Sequence, residues 1–445
     1  MDGRPLPDRE PLGVLDEAIL HLDSPSEPWS IHVELWFQGR LDETRLRESL
    51  ATALKHHPAA RATLATVSTG RHRYEWRTAP LPDVDPLDVV HGDGDRSLVA
   101  AREELQSRPI PLEASPPLRM RLHRHRGRDV LMLNLHHAAG DGMAALALLQ
   151  SIARAYSGRP EIVPTLPRGP VARPLSRDQL RAVAAELGEA ARPSARIAPD
   201  GGRERPGYAF HLLRLDTART QALRDRRREG VTVNDLLMAA LHLSVARWNA
   251  DHGRPARRVS VLMPVNLRSR RRGGEGFGNF TFMVPVSTLA RDRASASTAV
   301  DAISRRTRTI KEQHTPAAVV NFLQRLRSLP PGARRAIARQ VGCESLMPTA
   351  LLSNLGVMEH DLDFGPGAGH PVHAWFSPPA MMPLGLAIGA VTVGEQLHIT
   401  LRARHPLMGP DALARFAASY EGALDALLNV DAPVRQRPSS YRRAA

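Results

Sequence analysis

The stretch LMLNLHHAAGDG occupies residues 131–142 and begins as an apolar run. That run predicts a buried strand, at whose end stand two adjacent histidines, His136 and His137. Because neighbouring side chains on a strand point to opposite faces, only one of the two can point into a cleft. A histidine near its free pKa of about 6.5 can accept a proton at neutral pH. The stretch therefore predicts a general base, supported by its neighbour.

Three small residues separate the histidines from Asp141 and Gly142. Asp141 can orient an imidazole, hold the turn through an arginine, or cap the helix predicted to begin there. Glycine permits tight backbone geometry and close approach of a substrate. Two plainer interpretations stay open at this point, namely surface histidines beside a turn and an aspartate that is only a cap. We expect no metal site, because adjacent strand histidines diverge and the sequence offers no evident third ligand.

Strand and helix patterns recur on both sides of a segment rich in proline, glycine and arginine. In the strand SIHVELWFQG at 30–39, alternation places Ile31, Val33, Leu35 and Phe37 on one face. Further predicted strands lie at 118–122, 129–137, 208–216, 257–268 and 277–286 and in a hairpin at 382–404 that bends at 394–395; helices are predicted at 41–58, 141–156, 178–192, 231–253, 300–313 and 410–428. We predict two α/β lobes, residues 1–160 and 206–445, joined by the connection 161–205.

The formal charge of +14 comes almost entirely from arginine, with Lys55 and Lys311 as the lysines. The arginines are dispersed, and the dense run LRSRRRGGEG at 267–276 lacks interleaved aromatic residues for stacking on bases. This run predicts a solvated loop or an anion site for a phosphate-bearing cofactor or an acidic protein partner. We do not expect nucleic-acid binding.

The single cysteine, Cys343, excludes an internal disulfide framework and has no basic neighbour to activate it, so we predict a packing role. The N-terminus is polar and acidic, unlike a signal or transit peptide. The sequence contains no apolar run of membrane-spanning length. We therefore expect a cytoplasmic protein.

HHAAGDG at 136–142 matches the HHxxxDG signature of the CoA-dependent acyltransferase superfamily. This superfamily holds nonribosomal peptide condensation domains, alcohol acetyltransferases, polyketide-associated acyltransferases and wax ester synthase/diacylglycerol acyltransferases. Other stretches resemble the family in the same order along nearly the whole chain: PLGVLDEAILHLDSP at 11–25, SRPIPLEASPPLRMRL at 107–122, VTVNDLLMAAL at 231–241, VLMPVNLR at 261–268, GFGNF at 276–280 and LLSNLGV at 351–357. DLDFGPGAG at 361–369 departs from the DFGWG loop of one branch, since Pro366 replaces a tryptophan, and we predict a structural turn there.

The resemblance implies two chloramphenicol-acetyltransferase-like lobes that form a V-shaped pseudo-dimer with a central tunnel. It implies that His137 is the general base and that His136 is structural. It further implies a salt bridge between Asp141 and Arg268, and room for substrate at Gly142. Three further residues are implied to line the tunnel, with turn formation as the alternative for the last two: Asn279, Ser353 and Asn354.

The implied activity is transfer of an acyl group from a thioester to an amine or hydroxyl, in specialised natural-product metabolism. The donor would be acyl-CoA or a phosphopantetheinyl carrier protein, and the acceptor a small molecule. No bound cofactor is expected, and because two lobes complete the site we expect a monomer. The alternatives are a wax ester synthase/diacylglycerol acyltransferase, and a non-catalytic module of the same fold that binds a carrier protein.

Overall fold

The computed structural model describes residues 9–65, 73–92, 94–160, 174–201, 207–226, 230–268, 277–342, 346–358 and 362–428. Three features of interest in the sequence lie outside these ranges: Cys343, residues 269–276 of the basic run, and residues 161–173 and 202–205 of the predicted connection. Within these ranges the chain forms a mixed α/β structure.

The strands are β1 (Arg9–Pro11), β2 (Ser30–Phe37), β3 (Ala62–Ala65), β4 (Glu75–Thr78), β5 (Leu87–His91), β6 (Leu118–His125), β7 (Arg128–His136), β8 (Tyr208–Leu215), β9 (Arg258–Asn266), β10 (Thr281–Leu289), β11 (Ala350–Met358), β12 (His373–Ser377), β13 (Leu386–Val393) and β14 (Gln396–Arg404). The helices are α1 (Val14–Leu22), α2 (Glu43–His56), α3 (Asp95–Ser107), α4 (Gly142–Ser157), α5 (Arg177–Ala190), α6 (Thr217–Asp225), α7 (Val233–Asp251), α8 (Ala296–Glu312), α9 (Thr315–Leu323), α10 (Pro331–Val341) and α11 (Pro410–Leu428). None of these helices has both the length and the apolar character needed to cross a membrane.

A five-stranded sheet, in the order β12–β2–β7–β6–β5, carries the histidine stretch on its central strand β7. The predicted apolar face of β2 is confirmed, because Ile31, Val33, Leu35 and Phe37 are all buried in one core. Helices α2 and α4 pack against each other and contribute their apolar stripes to that core. The opposite face of β2 carries polar side chains, among them His32 and Glu34, and these are also buried. The sheet is therefore covered on both sides.

A second sheet has six strands in the order β10–β9–β11–β13–β14–β8. One face of this sheet packs against the helices α7, α8 and α11 and forms a second apolar core with them. The predicted hairpin is confirmed as β13 and β14, which pair antiparallel from Leu386↔Ala403 to Val393↔Gln396. Strand β11 runs parallel to both of its neighbours, β9 and β13.

Strand β12 belongs to the first sheet although it lies late in the chain. It pairs antiparallel with β2, from His373↔Trp36 to Ser377↔His32. Gly389 on β13 lets the second sheet approach this strand, since a Cβ at that glycine would lie 1.9 Å from the carbonyl oxygen of Phe376. The two sheets are therefore tied by an exchanged strand, which the hydrophobic pattern of the sequence did not indicate.

The loop DLDFGPGAG forms a turn in its described part, 362–369, as predicted. The backbone amide of Phe364 donates to the carbonyl of Gly369, and the amide of Gly369 donates to the carbonyl of Gly365. Gly365, Gly367 and Gly369 all have positive φ, which explains the density of glycine.

Candidate active site

The histidine stretch forms a tight loop where β7 ends and α4 begins. The amide of His137 donates to the carbonyl of Trp29 at 2.7 Å, and the amide of Ala139 donates to the carbonyl of His136 at 2.9 Å. Asp141 is the N-cap of α4, with its Oδ1 accepting from the amide of Ala144 at 3.0 Å. The loop therefore has a fixed backbone.

His136 is buried and engaged by its surroundings. Its Nδ1 accepts from the amide of Ala138 at 3.1 Å, and its Nε2 lies 3.6 Å from the Oδ2 of Asp23. Both ring nitrogens thus face partners that hold the loop. This arrangement suits a supporting residue.

His137 is also buried, with its ring centroid 6.3 Å from that of Trp29. Burial lowers the pKa of His137, and the opposing influences of its own carbonyl, Asp141 and Asn279 do not restore the ordinary value. The imidazole is therefore neutral at pH 7, the form that accepts a proton. Its Nδ1 makes no hydrogen bond with another residue in the described ranges.

Asp141 is the most heavily bonded carboxylate of the site. Arg268 donates to it twice, from Nη1 to Oδ2 at 2.7 Å and from Nη2 to Oδ1 at 2.8 Å. The amide of Phe280 and the hydroxyl of Thr281 also donate to Oδ2, at 3.0 and 2.8 Å. Burial alone would raise the pKa of Asp141, but the Arg268 charge and these hydrogen bonds hold it below its usual value. Asp141 is therefore ionised, and its side chain is held in place by these hydrogen bonds.

Asn279 is buried beside the histidine loop and braces its backbone. Its Nδ2 donates to the carbonyl of His137 at 2.8 Å, to that of Ala138 at 3.0 Å, and to the Oδ1 of Asp16 at 2.9 Å. Trp76 also donates to Asp16, from Nε1 to Oδ2 at 3.0 Å. The structure thus gives Asn279 a bracing role; that it lines a tunnel stays a prediction.

Gly142, the first residue of α4, lies against side chains of both sheets. A Cβ at this position would lie 2.8 Å from Cδ2 of Leu355 and 3.3 Å from Cε2 of Phe376. The glycine therefore makes room for two apolar side chains, whereas the resemblance implied room for substrate. Leu355 and Phe376 come from β11 and β12, neither of which the periodicity of the sequence assigned.

Ser353 and Asn354 lie on β11, in its pairing with β13. The Oδ1 of Asn354 accepts from the amide of Gly356 at 2.8 Å, next to a register shift between Asn354 and Val357. Gly356 has a φ of 82°, so this is a local turn within the strand. Asn354 thus takes part in a local turn, and lining of the tunnel stays a prediction for Ser353 and Asn354. In the described ranges neither residue is hydrogen-bonded to the histidine loop.

Three residues of this site were missed by sequence reasoning: Asp16, Asp23 and Trp29. Asp16 is a buried acid in the helical stretch PLGVLDEAIL. An acid on the apolar side of a helix was the available signal, because such a group is seldom buried without a partner. No group of three or more histidine, cysteine or acidic residues suited to a metal occurs within the described ranges.

Two family models match different parts of the chain. Residues 18–168 match the family described as Condensation domain, and residues 205–362 match the family described as Phthiocerol/phthiodiolone dimycocerosyl transferase C-terminus. An uncharacterized protein of Mycobacterium tuberculosis is 33% identical over 430 residues, which cover 93% of this chain and 98% of that protein.

Solved structures show the same fold. The first condensation domain of the CDA synthetase superimposes with a TM-score of 0.70 at 17% identity, covering 95% of this chain and 96% of that chain. The trichothecene 15-O-acetyltransferase from Fusarium sporotrichioides superimposes with a TM-score of 0.69 at 12% identity, covering 94% and 95%. These neighbours confirm the chloramphenicol-acetyltransferase-like pseudo-dimer.

Proposed function

The chain belongs to the CoA-dependent acyltransferase superfamily, and on that premise we propose that it transfers an acyl group from a thioester to an amine or hydroxyl with His137 as the general base. The observation that carries this proposal is the neutral, buried imidazole of His137 at the end of β7, on a loop clamped by Asp141. Members of the family are acyltransferases, which supports a transferase role.

In the proposed reaction the imidazole of His137 accepts the proton of the acceptor N–H or O–H. The freed lone pair attacks the thioester carbonyl carbon, and the carbonyl oxygen takes up the negative charge. When the carbonyl re-forms, the carbon–sulfur bond breaks and the departing thiolate takes the proton from His137. The products are an ester or amide and a free thiol. A positioned base of this kind contributes about 10²–10⁴-fold to the rate.

Both possible donors present the same reactive group, since CoA and carrier proteins each carry the acyl chain on a phosphopantetheine thiol. The strongly positive chain suits a phosphate-bearing or acidic donor. We propose a small-molecule acceptor in specialised metabolism and place substrates at the junction of the two sheets. Asp141 and Arg268 would hold the loop, and His136 would orient it, without contacting substrate.

The test is a donor and acceptor screen read by mass spectrometry. Acyl-CoA and acyl-carrier protein are offered in parallel, each with an amine, a small alcohol and a fatty alcohol. Transfer to any acceptor is expected, while transfer confined to long-chain acyl-CoA and fatty alcohol would instead identify a wax ester synthase. No transfer from any thioester would favour the non-catalytic carrier-binding module.

His137→Ala in the same assay separates the base from the fold. We expect loss of transfer by about 10²-fold or more with the melting temperature nearly unchanged, because the loop is held by the backbone amide and carbonyl of His137, which alanine keeps. His91→Ala, which removes an exposed histidine on β5, is the matched control and should retain transfer. Full activity of His137→Ala contradicts the base assignment.

A further inference from the structure

A layer of buried polar side chains lies between the two sheets, apart from the histidine loop. We name it the inter-sheet layer and define it by one residue each from β2, α3 and β8 and two from β14: His32, Gln106, Tyr208, Thr400 and Arg402. All five are almost completely buried. The layer thus includes side chains from both halves of the chain.

Arg402 is fully buried, yet it is weakly held. Its guanidinium packs on the ring of Tyr208 at 3.8 Å. Its hydrogen bonds are long, 3.4 Å from Nη1 to the carbonyl of Pro378 and 3.5 Å from Nη2 to that of Gln106. Its Nε has no acceptor, and no carboxylate pairs with it, within the described ranges. A buried cation without an anionic partner costs several kcal/mol.

Arg404, two residues further along the same strand, shows what a paired arginine looks like here. Its Nε lies 3.2 Å from the Oε1 of Glu27, and its remaining nitrogens donate to the carbonyls of Gly207, His405 and Ser26 at 2.9–3.1 Å. Both arginines lie on the same face of β14. The contrast isolates Arg402 as the unbalanced charge.

Other polar atoms of the inter-sheet layer are also unpaired. Neither Nε2 nor Oε1 of Gln106 has a hydrogen-bond partner in the described part of the chain, and the same is true of Oγ1 of Thr400. A buried polar group without a hydrogen-bond partner destabilises the folded state. Native proteins pair nearly all such groups, so their concentration at one place points to a polar ligand.

Glu34, a buried carboxylate of the first sheet, is not paired with Arg402. Glu34 accepts two hydrogen bonds from Arg102, at 2.7 and 2.8 Å, and one from the Nε1 of Trp36 at 2.6 Å. Its charge is therefore already matched by Arg102. Burial lowers the pKa of His32 by more than its contact with Glu34 raises it, so His32 is neutral at pH 7 and adds no charge to the layer. The layer keeps a net positive charge.

We infer that the inter-sheet layer binds a carboxylate carried by one of the substrates. The Nε of Arg402 and the Nε2 of Gln106 supply donors and the hydroxyl of Thr400 a third, a set that matches carboxylate oxygens in number and charge. Ser30 pairs with His136 across β2 and β7, and His32 lies two residues further along β2, about 7 Å away. The inter-sheet layer therefore begins two residues along β2 from Ser30, the residue that pairs with His136.

This inference rests on the proposed acyl transfer for the identity of the carrier, but anion binding is measured without any turnover. Melting temperatures are compared in sodium acetate, sodium phosphate and sodium chloride at equal ionic strength. We expect acetate to raise the melting temperature of the unmodified protein by about 2 °C, and to do the same for His137→Ala. Arg402→Gln and Thr400→Val should lose this response, and Thr63→Val, a buried threonine on β3, should keep it.

The second readout compares substrates that carry a carboxylate with their methyl esters. Arg402→Gln and Thr400→Val should raise KM for the carboxylate substrate roughly 10- to 100-fold and leave KM for the ester unchanged. The isosteric Thr400→Val carries the test if Arg402→Gln does not fold. If phosphate raised the melting temperature as much as acetate, and KM did not differ between the carboxylate substrate and its methyl ester, the layer would be a site for a free anion. The inference would be overturned if acetate did not raise the melting temperature of the unmodified protein, or if Arg402→Gln and Thr400→Val kept the full response.

Discussion

Arg268 and Asp141 lie 127 residues apart in the chain and meet in a two-point ion pair with N···O distances of 2.7 and 2.8 Å. Both side chains are almost wholly buried, and the guanidinium also lies 4.5 Å from the ring centroid of Phe280. The pair joins the loop after β7 to the segment after β9. One interaction therefore fixes the histidine loop and ties the two sheets together.

Replacing Arg268 with alanine is expected to lower stability and activity together. The substitution leaves Asp141 buried with its charge unmatched, and breaking a buried pair from one side costs about 3–5 kcal/mol. Arg268→Lys keeps the charge but loses the two-point geometry. Its stability and activity should therefore lie between those of the unmodified protein and those of Arg268→Ala. Urea unfolding and acyl transfer measured on the same preparations check this. Arg268→Ala with normal stability would contradict the bracing role.

Asn279→Ala is expected to reduce kcat more than it changes KM. Removing the amide leaves the carbonyls of His137 and Ala138 without this donor, and the loop that presents His137 loses its brace. We expect about 1–3 kcal/mol of lost stability and a kcat lower by about tenfold or more. Asn249→Ala is the comparison, since that buried amide on α7 donates to the carbonyl of Arg196 and not to the histidine loop. Equal effects of the two substitutions would argue against positioning.

Local patterns in the sequence carried much of the fold. The alternation of β2, the apolar run of β7, and the leucine repeats of α2 and α4 are properties of adjacent residues, so they are visible without the tertiary structure. Short strands escaped the same reasoning. β12 has five residues, HAWFS, and pairs with a strand more than 330 residues earlier in the chain, which no local pattern reports.

The candidate site likewise combines residues that the sequence identified with residues that only the tertiary structure brings to the loop. HHAAGDG and PVNLR identified the histidines, Asp141 and Arg268 through resemblance, and the structure brings these residues together. Asp16, Leu355 and Phe376 reach the loop only through packing between distant segments. The burial of Arg402 without a carboxylate is likewise a tertiary property, because an arginine in LRAR reads as an ordinary exposed residue.

Stability is expected to fall as the pH drops from about 6.5 towards 4. Burial lowers the pKa of His57 to about 4, of His242 to about 3 and of His398 to about 4. These rings stay neutral in the folded state while the unfolded chain takes up protons near pH 6.5. Their stabilising contribution is therefore complete above that pH and is lost below it, by about 1.4 kcal/mol per pH unit for each histidine.

His57→Leu tests this slope, since neither ring nitrogen of His57 has a hydrogen-bond partner among the described residues. Urea unfolding between pH 6.5 and 4.5 gives the free energy of unfolding as a function of pH. The slope of that function should be smaller in this variant by the amount that corresponds to one proton. The exposed His91, changed to glutamine, is the control and should leave the slope as it is. An unchanged slope in His57→Leu would show that His57 does not contribute to the pH dependence.

Gly142→Ala should destabilise the protein and impair acyl transfer, because the added methyl group would meet Leu355 at 2.8 Å and Phe376 at 3.3 Å. Overpacking of this kind costs about 1–3 kcal/mol. Gly188→Ala is the matched control, since it adds a methyl group on α5 with no atom within 4 Å, and alanine there should stabilise by about 0.5–1 kcal/mol.

Adding Leu355→Ala to Gly142→Ala removes the clashing methyl groups. If packing between β11 and the loop is what requires a glycine, the double variant loses less stability than the two single changes predict together. Additive losses would instead assign the glycine requirement to the substrate.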